Sequence, residues 1–323
     1  MTVVSRWPSR RSVMRALRVG AVVLVVVVAG AAGAVVVSRV GPPSRQELME
    51  RAGLIGKRQL LIGVKDDQPG LALRDPQTGQ FTGFDIDMAY LVAADLGFRR
   101  SEVTLLPIES EDRSKMQART DSDRFVTVDL VVATYSITPQ REALPLVSFS
   151  APYLYTEQSV ITRADHPSVQ SLDDLRGRPV CTIATTTSQE PLDDAGVQRV
   201  SRQQITECVD ALVRGEVDAV ETDAAILAGF VNADPEHLRH HDIGLAIQEA
   251  YGINTGGNEE LRDLVNLALY ESRHDPADQR WEDAFDRYLR PEQPANLPQQ
   301  VAVDQQPTVA KVAVRQWPWE RVG

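Results

Sequence analysis

The stretch Val128-Asp-Leu-Val-Val-Ala133, followed by Thr134-Tyr-Ser-Ile-Thr-Pro-Gln-Arg141, gives the first indication of architecture and site. Its first part has the length and apolar character of a strand buried in a parallel sheet. Ligands of α/β proteins bind where such strands end, so we expect a site that includes Thr134, Ser136 and Arg141. A surface turn with a solvated arginine is the alternative.

Strands and helices alternate along the rest of the chain. An apolar run at 59–64 predicts a strand, and Asp85 is placed to cap a helix that ends at Gly97. Further strands are predicted at 179–183 and 217–220, with a helix between them. This alternation indicates an α/β protein with parallel sheets.

Composition and motifs exclude several classes of function. The 323 residues are enough for two domains, and their net charge of −11 does not fit a general nucleic-acid binder. The patterns of phosphate-binding loops, nucleophile elbows and zinc peptidases do not occur. We therefore expect no nucleic-acid partner, no metal and no cofactor, and a binding protein in preference to an enzyme.

The first 40 residues differ from the rest. Arginines precede an apolar and glycine run at 19–37, which is long enough for a membrane-spanning helix with its N-terminus in the cytoplasm. Small residues at 29–34 also fit signal-peptidase cleavage. We expect an extracytoplasmic protein, either secreted or anchored by residues 19–37.

Two further features lie in the expected exported part. Cys181 and Cys208 are the two cysteines of the chain, and they form either a disulfide or two buried thiols. From Pro291 the chain is rich in Pro and Gln without periodicity, which predicts a disordered or loosely docked tail at 291–323. Trp317-Pro-Trp319 in this tail is a candidate docking contact.

Short stretches in a fixed order, spread over residues 58–290, resemble those of one known family. They are Gly63-Val-Lys-Asp-Asp-Gln-Pro69, Gly83-Phe-Asp-Ile-Asp87, Ser136-Ile-Thr-Pro-Gln-Arg141, Phe149-Ser-Ala-Pro-Tyr153, Asp173-Asp-Leu-Arg-Gly-Arg178, Ala184-Thr-Thr-Thr-Ser188, Cys208-Val-Asp-Ala-Leu212, Val217-Asp-Ala-Val-Glu-Thr-Asp223 and Tyr251-Gly-Ile253. Together they resemble the family-3 extracytoplasmic solute-binding proteins of polar amino-acid ABC transporters, of the actinobacterial glutamate/glutamine-binding type.

The resemblance implies a type II periplasmic-binding fold, in which two crossover segments join two α/β lobes around a ligand cleft. The implied division, after the basic segment 1–40, is 41–155 for the first part of lobe 1, 156–249 for lobe 2, 250–290 for the rest of lobe 1 and 291–323 for the tail. The resemblance also implies a disulfide between Cys181 and Cys208.

For the ligand, the resemblance implies a cage around the α-amino-acid group. Arg141 matches the arginine that binds the α-carboxylate, and Ser136 and Thr134 match the groups that receive the α-ammonium. Asp223, from lobe 2, matches the aspartate that completes the ammonium site. As an alternative, Asp223 caps the helix that begins near Ala224.

Thr186 and Thr187 match a turn whose amides and hydroxyl reach the ligand carboxylates. Thr185 stands here in place of the usual glycine, so the backbone approach differs from the family pattern.

Lys65 and Arg113 match cations that bind the distal carboxylate in glutamate/aspartate receptors. Two such cations favour an acidic ligand, because a second buried carboxylate is costly unless it is paired. The alternatives are a surface lysine and an arginine paired with Glu111 or Asp112. The segment 116–125 departs from the family pattern.

These observations favour a non-catalytic receptor that binds L-glutamate or L-aspartate and delivers it to an ABC permease. One alternative is a membrane-tethered amino-acid sensor with a membrane signalling partner. Another is an enzyme that resembles cyclohexadienyl dehydratases, which share this fold, with Glu109 or Glu190 as the acid.

Overall fold

Parallel strands and covering helices build two α/β lobes in the computed structural model, which describes residues 14, 18–19, 21–28, 41–243, 248–297 and 299–315. The strands are β1 (Leu60–Val64), β2 (Asp67–Gln68), β3 (Ala72–Arg74), β4 (Phe81–Thr82), β5 (Val103–Pro107), β6 (Gln117–Arg119), β7 (Phe125–Thr127), β8 (Leu130–Val131), β9 (Leu154–Arg163), β10 (Pro179–Ile183), β11 (Gln198–Arg202), β12 (Ala219–Asp223), β13 (Leu238–His241) and β14 (Gln248–Tyr251). The helices are α1 (Arg45–Arg51), α2 (Phe84–Asp95), α3 (Pro139–Glu142), α4 (Gln189–Ala195), α5 (Ile205–Val213), α6 (Ala224–Ala233), α7 (Glu259–His274) and α8 (Arg280–Tyr288).

The chain divides into two compact units, Met1–Glu47 with Ala313–Gly323 and Leu48–Val312. In the smaller unit, Arg315 Nη2 donates to Glu47 Oε1 at 2.8 Å. The expected cleavage sites, most of the second half of the 19–37 run, and Trp317-Pro-Trp319 lie outside the described residues. Among the residues that are described, no helix has the length and apolar character needed to span a bilayer.

Lobe 1 is built on the parallel sheet β5-β1-β8. Its central strand is buried, and its register pairs Ile62 with Leu105 on one side and with Leu130 on the other. Helix α2 packs into the core, where the Phe84 ring meets the Trp281 ring edge-on at 5.7 Å. Apolar residues without a polar break fit a central strand that is covered on both faces.

Helix α2 begins differently from the sequence prediction. Its N-cap residue is Gly83, with φ of 131°, and a Cβ at this position would lie 2.2 Å from the carbonyl oxygen of Leu71. The close backbone contact therefore requires glycine. The predicted cap by Asp85 is wrong, because this residue lies inside the helix and its carboxylate is bonded elsewhere.

Lobe 2 is built on the sheet β11-β10-β12-β9-β13. Strands β10, β11 and β12 are parallel, whereas β9 runs antiparallel to β12 and β13. A disulfide joins Cys181 of β10 to Cys208 of α5, and both cysteines are fully buried.

Two crossover strands join the lobes. The first four residues of β9, Leu154–Glu157, pair antiparallel with β14, and the rest of β9 continues into the lobe 2 sheet. Just before this pair, Tyr153 N donates to Tyr251 O at 2.9 Å.

The segment after α8 is docked rather than disordered over its described part. Thr156 Oγ1 donates to Val301 O at 2.7 Å, and Val303 N donates to Tyr155 O at 2.9 Å. Val301 and Val309 are buried. Of the two predicted alternatives, a disordered or a loosely docked tail, the described part fits the docked one, because single apolar side chains and hydrogen bonds hold an irregular segment without any periodic pattern.

Candidate functional site

Side chains from both lobes line a cleft between them. They are Gln68, Ser110, Arg113, Thr134, Ser136 and Arg141 from lobe 1 and Ile183, Thr186, Thr187, Thr222, Asp223 and Ile226 from lobe 2. The lobes are closed on each other, because the cavity that remains is about 10 Å³, which is close to the space that one water molecule needs. The structure thus brings together all the predicted binding residues except Lys65.

Arg141 reaches across the cleft from lobe 1. It lies in the short helix α3, where Thr138 Oγ1 accepts the Arg141 N–H at 3.2 Å and Pro139 occupies the first turn. Its Nη1 donates to Ser136 O at 2.8 Å, and its Nη2 donates to Thr185 O of lobe 2 at 3.2 Å. Burial lowers the pKa of Arg141, yet an arginine stays charged at neutral pH.

Arg113 is a second guanidinium in the same cleft, and it is 3 % exposed. Its Nε donates to Ser110 O at 3.1 Å, and its Nη1 donates to the carbonyl oxygens of Ala133 and Thr134, both at 3.0 Å. Burial, and then the charge of Arg141, lowers the pKa of Arg113 to about 10. These carbonyls fix the guanidinium in place, which differs from the alternative of pairing with Glu111 or Asp112.

Tyr135 lies beside both guanidinium groups. The distance from its ring centroid is 4.6 Å to Cζ of Arg113 and 4.8 Å to Cζ of Arg141. An aromatic ring attracts a cation electrostatically, so Tyr135 offsets part of the repulsion between these two like charges. Tyr135 was not predicted as a site residue, although it lies between two predicted binding residues.

Thr134 and Ser136 present their carbonyls to the two arginines. Thr134 has φ of 44°, in the left-handed region, and its N–H donates to Asp85 Oδ2 at 2.9 Å. Its hydroxyl donates to Gln68 Oε1 at 3.2 Å. Gln68 is a further cleft residue that was not predicted from the sequence.

Asp223 ends β12 and faces the arginines from lobe 2. It occupies the N-cap position of α6, but its side chain makes no cap hydrogen bond within the described residues. Instead, Tyr251 Oη donates to Asp223 Oδ2 at 2.5 Å. Burial, and then the charge of Glu249, raises the pKa of Asp223 to about 8. The alternative of a helix cap is therefore not what the structure shows.

The turn after β10 supplies the rest of the lobe 2 wall. Thr186 and Thr187 both line the cleft, and Thr186 Oγ1 donates to Ile183 O at 3.0 Å. Thr185 has φ of 60°, a conformation that favours glycine. The threonine therefore adopts a left-handed conformation at this position, and its carbonyl accepts from Arg141.

Lys65 is buried on lobe 1 but does not line the cleft. Its Nζ lies 3.8 Å from Asp67 Oδ1 and 3.7 Å from Glu109 Oε2, and it has no hydrogen-bond partner among the described residues. The structure therefore separates the two predicted distal cations, because Arg113 faces the cleft and Lys65 faces two carboxylates of its own lobe. The alternative of a surface lysine is wrong as well.

Two contacts join the closed lobes outside the cleft, one between a carboxylate and a backbone N–H and one between two backbone segments. Asp67 Oδ2 accepts the N–H of Ile205, the first residue of α5, at 2.7 Å. Helix α6 packs against the loop after β2 so closely that a Cβ at Gly229 would lie 2.2 Å from Pro69 O.

Paired crossover strands join the two α/β lobes, which are closed on each other. Lobe 1 contributes the cations of Arg113 and Arg141 to the cleft, and lobe 2 contributes the carboxyl of Asp223. This arrangement defines a two-lobed solute receptor with the type II periplasmic-binding fold. Residues 60–290 match the family of bacterial extracellular solute-binding proteins, family 3, and the chain belongs to this family. The predicted family and fold are confirmed.

Curated relatives and solved structures agree with this assignment. The glutamate-binding protein GluB of Corynebacterium efficiens is 34 % identical over 232 residues, which are 68 % of this chain and 76 % of that protein. The ABC transporter glutamine-binding protein GlnH of Bacillus subtilis is 27 % identical over 242 residues, 73 % of this chain and 83 % of that protein. A solved ancestral arginine-binding protein bound to glutamine matches with a TM-score of 0.63 and 28 % identity, covering 72 % of this chain and 98 % of that chain.

These relatives are amino-acid-binding proteins and not enzymes, so the prediction of a non-catalytic amino-acid receptor is confirmed.

Proposed function

We propose that this protein binds L-glutamate or L-aspartate between its lobes and delivers it to an ABC permease. The observation that carries the proposal is a pair of guanidinium groups in the cleft that Asp223 faces from lobe 2, that of Arg113 buried and that of Arg141 half-buried. An acidic amino acid has two carboxylates and one ammonium, which match these three charges. A ligand with one carboxylate leaves one buried cation without a counter-charge.

In the proposed complex, Arg141 binds the α-carboxylate together with the Thr186–Thr187 turn. Arg113 binds the distal carboxylate, and Asp223 receives the ammonium with the carbonyl and hydroxyl groups of Thr134 and Ser136. Lys65 is left out, because it does not line the cleft and its ammonium lies near Asp67 and Glu109. The similarity to GluB, a glutamate-binding protein, supports the same choice of ligand.

Titration calorimetry of the purified protein and its Arg113→Ala variant with each amino acid tests the ligand. We expect the wild type to prefer L-glutamate or L-aspartate to L-glutamine. Arg113→Ala should weaken binding of the acidic ligands at least tenfold and of glutamine by less, because a hydrogen bond to a charged group contributes about 1.5–3 kcal/mol.

Arg119→Ala is the matched control, since this arginine pairs with Asp123 on the surface and lies outside the cleft. It should leave all affinities unchanged. Equal losses for glutamate and glutamine in Arg113→Ala would contradict the distal subsite.

Delivery is tested separately by co-purification from membranes with and without L-glutamate. Recovery of an ABC permease supports the proposal. Recovery of a membrane signalling protein without a permease would favour a sensor in its place.

A further inference from the structure

Asp85 is a buried residue whose carboxyl group is bonded to the backbone of the cleft residue Thr134. It is fully buried near the start of α2. Its Oδ2 accepts the N–H of Thr134 at 2.9 Å, and its Oδ1 accepts the hydroxyl of Tyr153 at 2.9 Å. Both carboxylate oxygens are therefore engaged by groups far away in the sequence, and neither caps its own helix.

Thr134 needs such support because of its backbone conformation. At φ of 44° it lies in the left-handed region, which is unfavourable for a β-branched residue. A residue persists there when its surroundings hold it in place. The Asp85 carboxylate is bonded directly to the backbone N–H of this residue.

The conformation of Thr134 has a direct effect on the cleft. Its carbonyl accepts Arg113 Nη1 at 3.0 Å, beside the parallel bond to Ala133 O. A change in φ at Thr134 would turn this carbonyl and release one of the bonds that orient the guanidinium. The chain of contacts therefore runs from Asp85 through one backbone unit to Arg113.

We propose that Asp85 is a positioning residue for ligand binding, which holds Thr134 in its left-handed conformation and thereby orients Arg113 in the cleft. The inference rests on the proposed function, since it assigns Asp85 to the same site. Its second bond, to Tyr153, ties this support to the start of the first crossover strand.

A carboxyl that served folding alone would behave differently. Its loss would lower the melting temperature but leave the affinity of the folded protein unchanged. A positioning residue changes the affinity itself. Glycine adopts positive φ readily, so Thr134→Gly should make the backbone independent of the Asp85 bond.

The test is a double-mutant cycle on the full protein, with L-glutamate as the probe in calorimetry. Asp85→Ala, which removes both acceptor oxygens, should weaken binding at least tenfold in the wild type. In the Thr134→Gly background the same substitution should weaken binding less than threefold. Thr185→Gly is the matched control background, because Thr185 is also left-handed with φ of 60° and its N–H is not bonded to Asp85. There the tenfold loss should remain.

Equal losses in all three backgrounds, or no loss in the wild type, would overturn the role of Asp85. If Asp85→Ala alone does not fold, the comparison of Thr134→Gly with the double variant remains, and a difference above threefold overturns the proposal. A screen of the twenty amino acids precedes the cycle. Should the wild type prefer a non-acidic ligand, the proposed function fails, and the cycle is measured with that ligand. Binding of no amino acid would overturn both proposals.

Discussion

At the scale of single residues, Asp223 gives the site a dependence on pH. Its pKa is raised to about 8 by burial and by Glu249, so the carboxyl is largely protonated at pH 7 in the closed protein. An ammonium bound beside it stabilises the charged form, so binding lowers its pKa and releases a proton. We therefore expect affinity to increase with pH up to about 8, by at most about tenfold per pH unit, and then to level off.

Calorimetry at pH 6.5 in buffers of different ionisation enthalpy measures the released proton. The wild type should release nearly one proton per ligand. Asp223→Asn should bind weakly and release none from this site. A binding enthalpy that does not depend on the buffer in the wild type would contradict the assignment of the ammonium to Asp223.

Most of the site residues were predictable from the sequence, because several of them follow predicted strands or lie in the stretches that carry the family resemblance. Lys65 was expected in the cleft but is not among its lining residues, because its position after β1 does not reveal that its ammonium lies near Asp67 and Glu109. Tyr135 and Gln68 were not predicted as site residues. Their roles depend on distances to side chains that are remote in the sequence.

At the scale of elements, β13 carries a histidine that should make the fold sensitive to acid. His240 is buried, and its pKa is lowered to about 4 by burial. Its Nδ1 donates to Asn296 Oδ1 at 2.6 Å, and Nε2 accepts from the hydroxyl of Ser159. A histidine in the unfolded chain has a pKa of about 6.5.

Between pH 6.5 and 4 the unfolded chain therefore binds a proton at His240 that the folded protein does not. As the pH decreases through this window, the free energy of unfolding should fall by up to about 1.4 kcal/mol per pH unit. Above pH 6.5 this contribution to stability is fully present. Urea unfolding at several pH values measures it. His240→Gln should lose this part of the slope, and an unchanged slope in that variant would contradict the prediction.

The regular elements were easier to predict than the irregular ones. The predicted strand at 179–183 coincides with β10, and the predicted strand at 59–64 contains β1. Strand β9 was not predicted, because its first half pairs with β14 and its second half with the lobe 2 sheet. Its burial reflects two surroundings and therefore shows no single period.

At the scale of the whole molecule, closure depends on how near α6 comes to lobe 1. Gly229→Ala adds a methyl group that would lie 2.2 Å from Pro69 O, so the lobes cannot close fully. Alanine is the better helix former, so α6 itself should not be weakened. We expect the affinity for L-glutamate to fall at least tenfold.

Small-angle scattering with saturating L-glutamate distinguishes the two states. The wild type should have the smaller radius of gyration, and Gly229→Ala should remain extended. Asn232→Ala is the matched control, because this residue is exposed on the same helix. Normal compaction of the Gly229 variant would show that the contact with Pro69 does not limit closure.

Because the segment after α8 is docked, the compact part of this protein extends beyond the domain that it shares with its family. The family match stops at residue 290, whereas the larger compact unit extends to Val312. A chain that ends at residue 290 would lack Asn296, which bonds His240, and the carbonyl of Val301, which bonds Thr156. It should unfold at a lower urea concentration than a chain that ends at residue 312. A truncated protein designed from the family match alone would therefore lack a segment that stabilises the fold. Its C-terminal boundary is better placed at or beyond residue 312.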